Sequence, residues 1–218
     1  MILGLPFYER PVLQVARDCI GKILVRRTSD GEVRGRIVEA EAYRGPEDRA
    51  AHSWGGRRTA RTEVMFGRAG HAYVFFVYGM HWNFNLVTGA AGEPQAVLIR
   101  ALEPLSGIEL MAARRKLAPE RVELTNGPGK LCQALAISRA DYGVDMCSSK
   151  ALFLLDAPAA RVVRSPRIGV DYAGSWAARP WRFYEADNRF VTRMRAGPRA
   201  ARASAGTGKA LVKSARRS

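Results

Sequence analysis

The sequence predicts an α+β fold in a single domain, on three observations. Strand-like runs with period-two alternation recur between turns rich in Gly, Pro and Asn. The helix-like segments are few and short. The two kinds follow one another in mixed order, without the regular βαβ alternation of a doubly wound sheet or any internal repeat. At 218 residues, 47% hydrophobic and 25% charged, the chain can bury a sizeable core without disulfide or metal staples.

In chain order, Pro11 to Lys22 reads as a short helix. Val12, Leu13, Ala16, Cys19 and Ile20 recur on one face, Pro11 suits the first turn and Gly21 the stop. Extended segments follow at Lys22–Arg26 and Gly31–Tyr43, and the Ser29-Asp30-Gly31 turn between them implies a hairpin. Residues Gly45–Gly70, rich in Gly and Arg, read as loop. His71–Tyr78 and Met80–Thr88 are the next strands, then Ala96–Ala101 beyond a Gly/Pro loop. A helix over Ser106–Lys116 takes Ser106 as its cap and turns Ile108, Met111 and Ala112 inward. The turn Asn126-Gly127-Pro128-Gly129 opens onto a helix over Lys130–Ile137. Late strands are expected around Phe153, at Arg167–Val170 and at Trp181–Tyr184.

Charge narrows the partner. Lys and Arg number 35 against 20 Asp and Glu, a formal net charge of +15, which favours a polyanion, nucleic acid or an anionic membrane face. No stretch reaches the roughly 18 apolar residues of a transmembrane helix. The start, Met1-Ile2-Leu3-Gly4-Leu5-Pro6, lacks the pattern of a signal peptide. The expectation is an intracellular protein with no membrane partner and with nucleic acid as the leading one. Cys19, Cys132 and Cys147 are far apart and odd in number, which fits a reducing interior. With only His52, His71 and His81 beside them, no zinc spacing appears, and no metal or cofactor is expected. After Asp187 every charged residue is basic. The domain is expected over 1–196, with 197–218 a disordered basic tail that either grips phosphates or merely solubilises.

Several segments carry residues suited to chemistry. In Gly31–Tyr43, period two places Ile37, Glu39, Glu41 and Tyr43 on one face and Val38, Ala40 and Ala42 on the other. Two carboxylates beside an aromatic make either a solvated face or a general base next to a stacking platform. His52 follows in a loop, then a run from Ser53 to Thr62 that includes Arg57, Thr59 and Arg61. Arginines, hydroxyls and glycines together suit phosphate oxygens, or simply a charged surface.

The aromatic run Tyr73–Tyr78 reads as a core strand or as a base-stacking site. Gly79 breaks it, leaving Tyr78 and Met80 at an exposed tip where apolar side chains can wedge between base steps. Beyond the tip, Met80, Trp82, Phe84 and Leu86 alternate with His81, Asn83 and Asn85. Asn85 is thus on the polar face, either solvated or testing a base edge. Arg100, ending the apolar run from Ala96, is a cleft cation or a structural ion-pair partner of Glu39 or Glu103.

Taken together, these pieces resemble the alkyladenine (3-methyladenine) DNA glycosylase family. The matching strings are VEAEAYRGPEDRAAHSWGGRRTAR, MFGRAGHAYVFFVYGMHWNFN, VLIRALEPLSG, NGPGKLCQALAI and RIGVDYAGSWAARPWRFY, in order from Val38 to about Tyr184. The resemblance implies one compact α+β domain with a curved antiparallel sheet, flanking helices and a hairpin that enters the minor groove. It aligns Glu41 with a general base that deprotonates water. Arg100 and the Ile168 carbonyl align with groups that hold that water. Tyr78 aligns with an intercalating tyrosine; Tyr43 and His52 with walls that sandwich the damaged base; Asn85 with an asparagine that crowds the guanine amine. Arg57 and Thr59 fall in a phosphate-contacting loop. Phe75 and His81 stand where animal members carry tyrosines. A ring face survives at Phe75 without its hydroxyl.

The implied activity is excision of alkylated or deaminated purines, 3-methyladenine and also hypoxanthine or ethenoadenine, from double-stranded DNA. The protein is expected to act as a monofunctional, monomeric enzyme. Two other classes remain open on sequence alone. One is a non-enzymatic basic nucleic-acid-binding protein. The other is a binding module like the C-terminal domain of the tRNA formyltransferases.

Overall fold

A computed structural model describes residues 1–192. The expected tail, 197–218, and the domain end at 196 lie outside the described residues. Eight antiparallel strands form one open sheet: β1 (Ile23–Thr28), β2 (Gly31–Tyr43), β3 (Ala72–Val77), β4 (His81–Thr88), β5 (Gln95–Ser106), β6 (Leu152–Leu155), β7 (Val162–Ser165) and β8 (Arg182–Glu185). The order is β3-β4-β5-β2-β1-β6, and β8 joins the second half of β2 to β7. The helices are α1 (Leu5–Tyr8), α2 (Val12–Asp18), α3 (Ile108–Arg115) and α4 (Pro128–Ala134). The expected α+β class is what forms.

The two faces of the sheet do different work. Ala40 and Ala42 on β2, Val97 and Ile99 on β5, Phe84 and Leu86 on β4, and Ala72 and Val74 on β3 turn to one side. There they pack with Val12, Val15 and Ala16 of α2 and Leu131 and Cys132 of α4 in the main core. On the opposite face, Glu41 stands opposite Leu98, Leu98 opposite Asn85, and Asn85 opposite Tyr73, a row across four strands. Residues directly opposite in a ladder share a face, so this row lies together.

Strict period two fails at one place in β2. The register against β5 shifts between Ile37 and Glu39 and again between Glu39 and Ala40, as a bulge requires. Ile37 therefore joins Ala40 and Ala42 in the main core, while Val38 packs with Ala101 and Phe190. The simple alternation had set Ile37 with the glutamates.

Other boundaries differ for local reasons. The first expected helix is shorter, Val12–Asp18, and Gly21 lies in a left-handed turn after it (φ 95°). Ser106 does not cap α3: it closes β5, opposite Arg34 of the long β2, and Gly107 at φ 68° makes the cap. The fourth helix starts earlier, with Pro128 in its first turn, and ends by Ala134. β7 was not anticipated, and Arg167–Val170 is not a strand. That segment is an irregular crossing held by side-chain bonds instead of a ladder. The hairpin forms as expected, with Val77 opposite His81 across a three-residue tip. Tyr78 takes a left-handed φ of 54° there, uncommon for a bulky residue.

Candidate active site

Leu98, Asn85 and Tyr73 of this row floor a cavity of about 410 Å³, within the range of small-molecule sites. Its walls follow from the same alternation. Tyr43 comes from the end of β2; Leu98 and Arg100 from β5; Tyr73 and Phe75 from β3; His81, Asn83 and Asn85 from β4. Three segments distant in sequence close it: Ala50 and His52, Gly127–Lys130, and Ile168–Val170 with Tyr172. Gly129 permits the second closure, because a Cβ there would lie 2.9 Å from the His81 Cβ.

Glu41 is fully buried and sits just beneath this wall. The Tyr43 hydroxyl donates to its Oε2 at 2.9 Å and Arg100 Nη1 to the same oxygen at 3.2 Å. The Ile168 backbone N–H donates to Oε1 at 2.7 Å. All three donors belong to residues that line the cavity. The expected contribution of Ile168 was its carbonyl; the group that meets the carboxylate is its N–H. Burial, and then the Glu41 charge, push the Tyr43 hydroxyl well above its usual range, so it stays protonated and donating.

Arg100 is a structural ion-pair partner and a cavity residue at once. Its Nε bonds Glu39 Oε1 at 2.9 Å. Glu39, also fully buried, further accepts from Arg182 Nε at 2.7 Å and from the Thr192 N–H at 2.7 Å. Glu103, the other partner considered for Arg100, bonds Arg36. Behind Tyr43, Arg167 forms a buried bidentate pair with Asp48, 2.6 and 2.9 Å. Its guanidinium lies 4.7 Å from the Tyr43 ring centre. One segment thus backs the aromatic wall and delivers the Ile168 N–H.

His52 stands at the opening. Its ring meets Phe75 edge-on at 4.6 Å, and Nδ1 is 2.8 Å from the Tyr73 hydroxyl. Arg61 Nη2 is 3.0 Å from Nε2. Arginine only donates, so Nε2 accepts and the ring proton belongs on Nδ1, toward Tyr73. Partial burial, then the charges of Arg61 and Arg57, push the imidazole pKa down to about 4. A neutral His52 with its proton engaged is a poor general acid at neutral pH.

The DNA-facing expectations fall around the same opening. Tyr78 is 83% exposed and Met80 67% at the hairpin tip, and His81 follows them. Arg57, Thr59 and Arg61 line a second cavity of about 230 Å³ that shares Ala50, His52 and Tyr172 with the first. Among the described residues, Arg49, Arg57 and Arg61 form no ion pair, whereas Arg58 is paired with Glu63. Asn85 is buried, not solvated, and its Nδ2 donates to the Tyr73 carbonyl at 3.0 Å. Sequence reasoning missed Tyr73, Asn83, Lys130 and Tyr172 as cavity residues. The first two share the parity of Phe75 and Asn85, which was signal enough; Lys130 and Tyr172 carry no local signal. Among the described residues no group of three or more His, Cys, Asp or Glu is assembled to hold a metal, and no helix is long and apolar enough to cross a membrane.

A family model described as methylpurine-DNA glycosylase matches residues 6–189. The chain belongs to that family. A protein of Methanocella arvoryzae provisionally named 3-methyladenine DNA glycosylase is 51% identical over 197 residues, 90% of this chain and 98% of that one. Similarly named proteins of Desulfitobacterium hafniense and Natranaerobius thermophilus are 50% and 43% identical, over 87% and 88% of this chain and 98% and 99% of theirs. The chain is therefore a DNA glycosylase, an enzyme of base-excision repair. The reading as a non-enzymatic nucleic-acid binder gives way to it.

Proposed function

We propose that this glycosylase takes a damaged purine out of duplex DNA into the cavity and hydrolyses its bond to the sugar, with Glu41 as general base. The observation that carries the proposal is the buried Glu41 carboxylate held by three donors, all from cavity residues. A carboxylate offers about four acceptor sites. Tyr43, Arg100 and Ile168 fill three, leaving one for a water that gives up its proton as it attacks C1′. The fixed anion also stabilises the oxocarbenium character that develops at the sugar.

The leaving group explains the rest. Methylation at purine N3 or N7 makes the base cationic, so it departs without a protein acid. The rings of Tyr43, Tyr73 and Phe75 attract such a cation by about 0.5–2 kcal/mol each when well placed. This favours 3-methyladenine. Neutral hypoxanthine and ethenoadenine need a proton from water, since His52 is held neutral. Tyr78 at the hairpin tip takes the place of the departed nucleotide in the stack, and Met80 and His81 flank it. Arg57, Thr59 and Arg61 hold phosphates. Asn85, fixed against the Tyr73 carbonyl, crowds the amine of normal guanine. Flipping costs a few kcal/mol, least at a weakened pair. The enzyme acts as a monomer and leaves an abasic site.

The test is base release from methylated DNA and from duplexes carrying one hypoxanthine or one ethenoadenine, followed by alkali. Released 3-methyladenine, with strand cleavage only after alkali, is the expected result. Cleavage without alkali would overturn the monofunctional mechanism, and no base released from any substrate would overturn the whole reading.

A further inference from the structure

Asn83 projects from the pocket-facing row of β4, opposite Phe75 and two residues nearer the hairpin tip than Asn85. On β5, Arg100 likewise lies two residues on from Leu98, the partner of Asn85. Asn83 is thus next to the base-contacting floor, on the side of the Arg100 cation. Its Oδ1 is buried, yet among the described residues it accepts no hydrogen bond. The neighbouring asparagine contrasts with it: Asn85 has its amide tied to the Tyr73 carbonyl. A buried acceptor left without a donor is destabilising, and such a cost persists where a ligand supplies the donor.

The chemistry of the ligand restricts what that donor can be. Within a DNA strand the deoxyribose carries no free hydroxyl, and the phosphates only accept. The N–H groups of a flipped nucleotide belong to its base. We infer that Asn83 is a specificity-determining residue whose Oδ1 accepts a hydrogen bond from a base N–H. The exocyclic amine of 3-methyladenine and N1–H of hypoxanthine both qualify. Ethenoadenine has no N–H on the base and cannot satisfy it. The inference rests on the proposed entry of the damaged base into this cavity.

The experiment compares wild type with Asn83→Ala and with the near-isosteric Asn83→Leu, both checked for an unchanged melting temperature. Single-turnover excision is measured on hypoxanthine and ethenoadenine duplexes. Where excision of ethenoadenine is slow, affinity for each duplex by fluorescence anisotropy replaces the rate. The hypoxanthine-to-ethenoadenine ratio is expected to fall about tenfold in both variants, the size of one lost hydrogen bond. Release of 3-methyladenine falls alongside hypoxanthine. A ratio that stays put, whether both substrates decline together or neither does, would overturn the inference and leave the glycosylase reading intact. A wild type that neither excises nor preferentially binds any damaged base would instead overturn that reading, and this inference with it.

Discussion

Glu39 and Glu41 stand two residues apart on one strand, both fully buried, both bonded to Arg100. Their surroundings separate them. Glu39 faces two guanidiniums, Arg100 and Arg182, and a backbone N–H from Thr192; neither Arg182 nor Thr192 lines the cavity. Glu41 shares Arg100 and is otherwise held by a phenol and a backbone N–H on the cavity wall. The two carboxylates and two arginines balance in charge. Burial alone does not mark a catalytic carboxylate. What singles out Glu41 as the proposed base is that its donors open onto a space a substrate can fill.

Substitution tests this difference most directly. Glu41→Gln removes the proposed base while keeping size and much of the hydrogen bonding. Its excision rate should fall about 10³-fold, within the range of general-base contributions, with affinity for damaged duplex held within a few-fold. Glu39→Gln should do the reverse. It leaves Arg182 without a carboxylate partner and Arg100 with Glu41 alone, and loss of a buried ion-pair partner costs about 3 kcal/mol or more. Denaturant unfolding should show that loss, while single-turnover excision by the folded fraction falls far less than in Glu41→Gln. If the two variants lose excision equally, the division of roles is wrong.

A smaller effect probes the phenol. Tyr43→Phe keeps the ring against Arg167 and the cavity but deletes the hydroxyl that donates to Glu41 Oε2. A hydrogen bond to a charged acceptor is worth about 1.5–3 kcal/mol, and part of it is present before reaction. A fall of about tenfold in single-turnover rate with little change in duplex affinity is expected. A loss seen only in affinity would make Tyr43 a stacking wall alone.

Much of this arrangement was legible in the sequence, and the reasons are local. The hairpin, its tip and the pocket-facing parity of Phe75, His81 and Asn85 follow from alternation and one glycine. The paired glutamates followed from the same period. What hid the rest was long-range packing. The bulge at Val38 and Glu39 is a property of the β2–β5 ladder, so local periodicity assigned Ile37 to the wrong face. Arg167–Val170 looks like a strand by composition, yet Arg167 is tied to Asp48, 119 residues away, and Ile168 to Glu41, 127 residues away. The Gly127–Lys130 wall depends on how closely α4 approaches His81.

The smallest predicted effect concerns His52, where the opening of the cavity meets Arg57 and Arg61. Burial is the first cause of its lowered pKa, near 4, and the charges of Arg61 and Arg57 follow. Protonation adds a positive charge beside two others, so removing one of them must raise the pKa. In Arg61→Gln the midpoint should move up from about 4 toward the usual 6.5, though only part of the way because burial remains. Titration of the His52 ring protons by NMR reads it directly. An upward shift ties the imidazole to the charge of the Arg57–Arg61 loop, so that phosphates neutralising Arg61, as proposed for this loop, would ease its protonation in the complex. An unmoved midpoint would mean that burial alone keeps His52 neutral, and that DNA reaches it through stacking and not through charge.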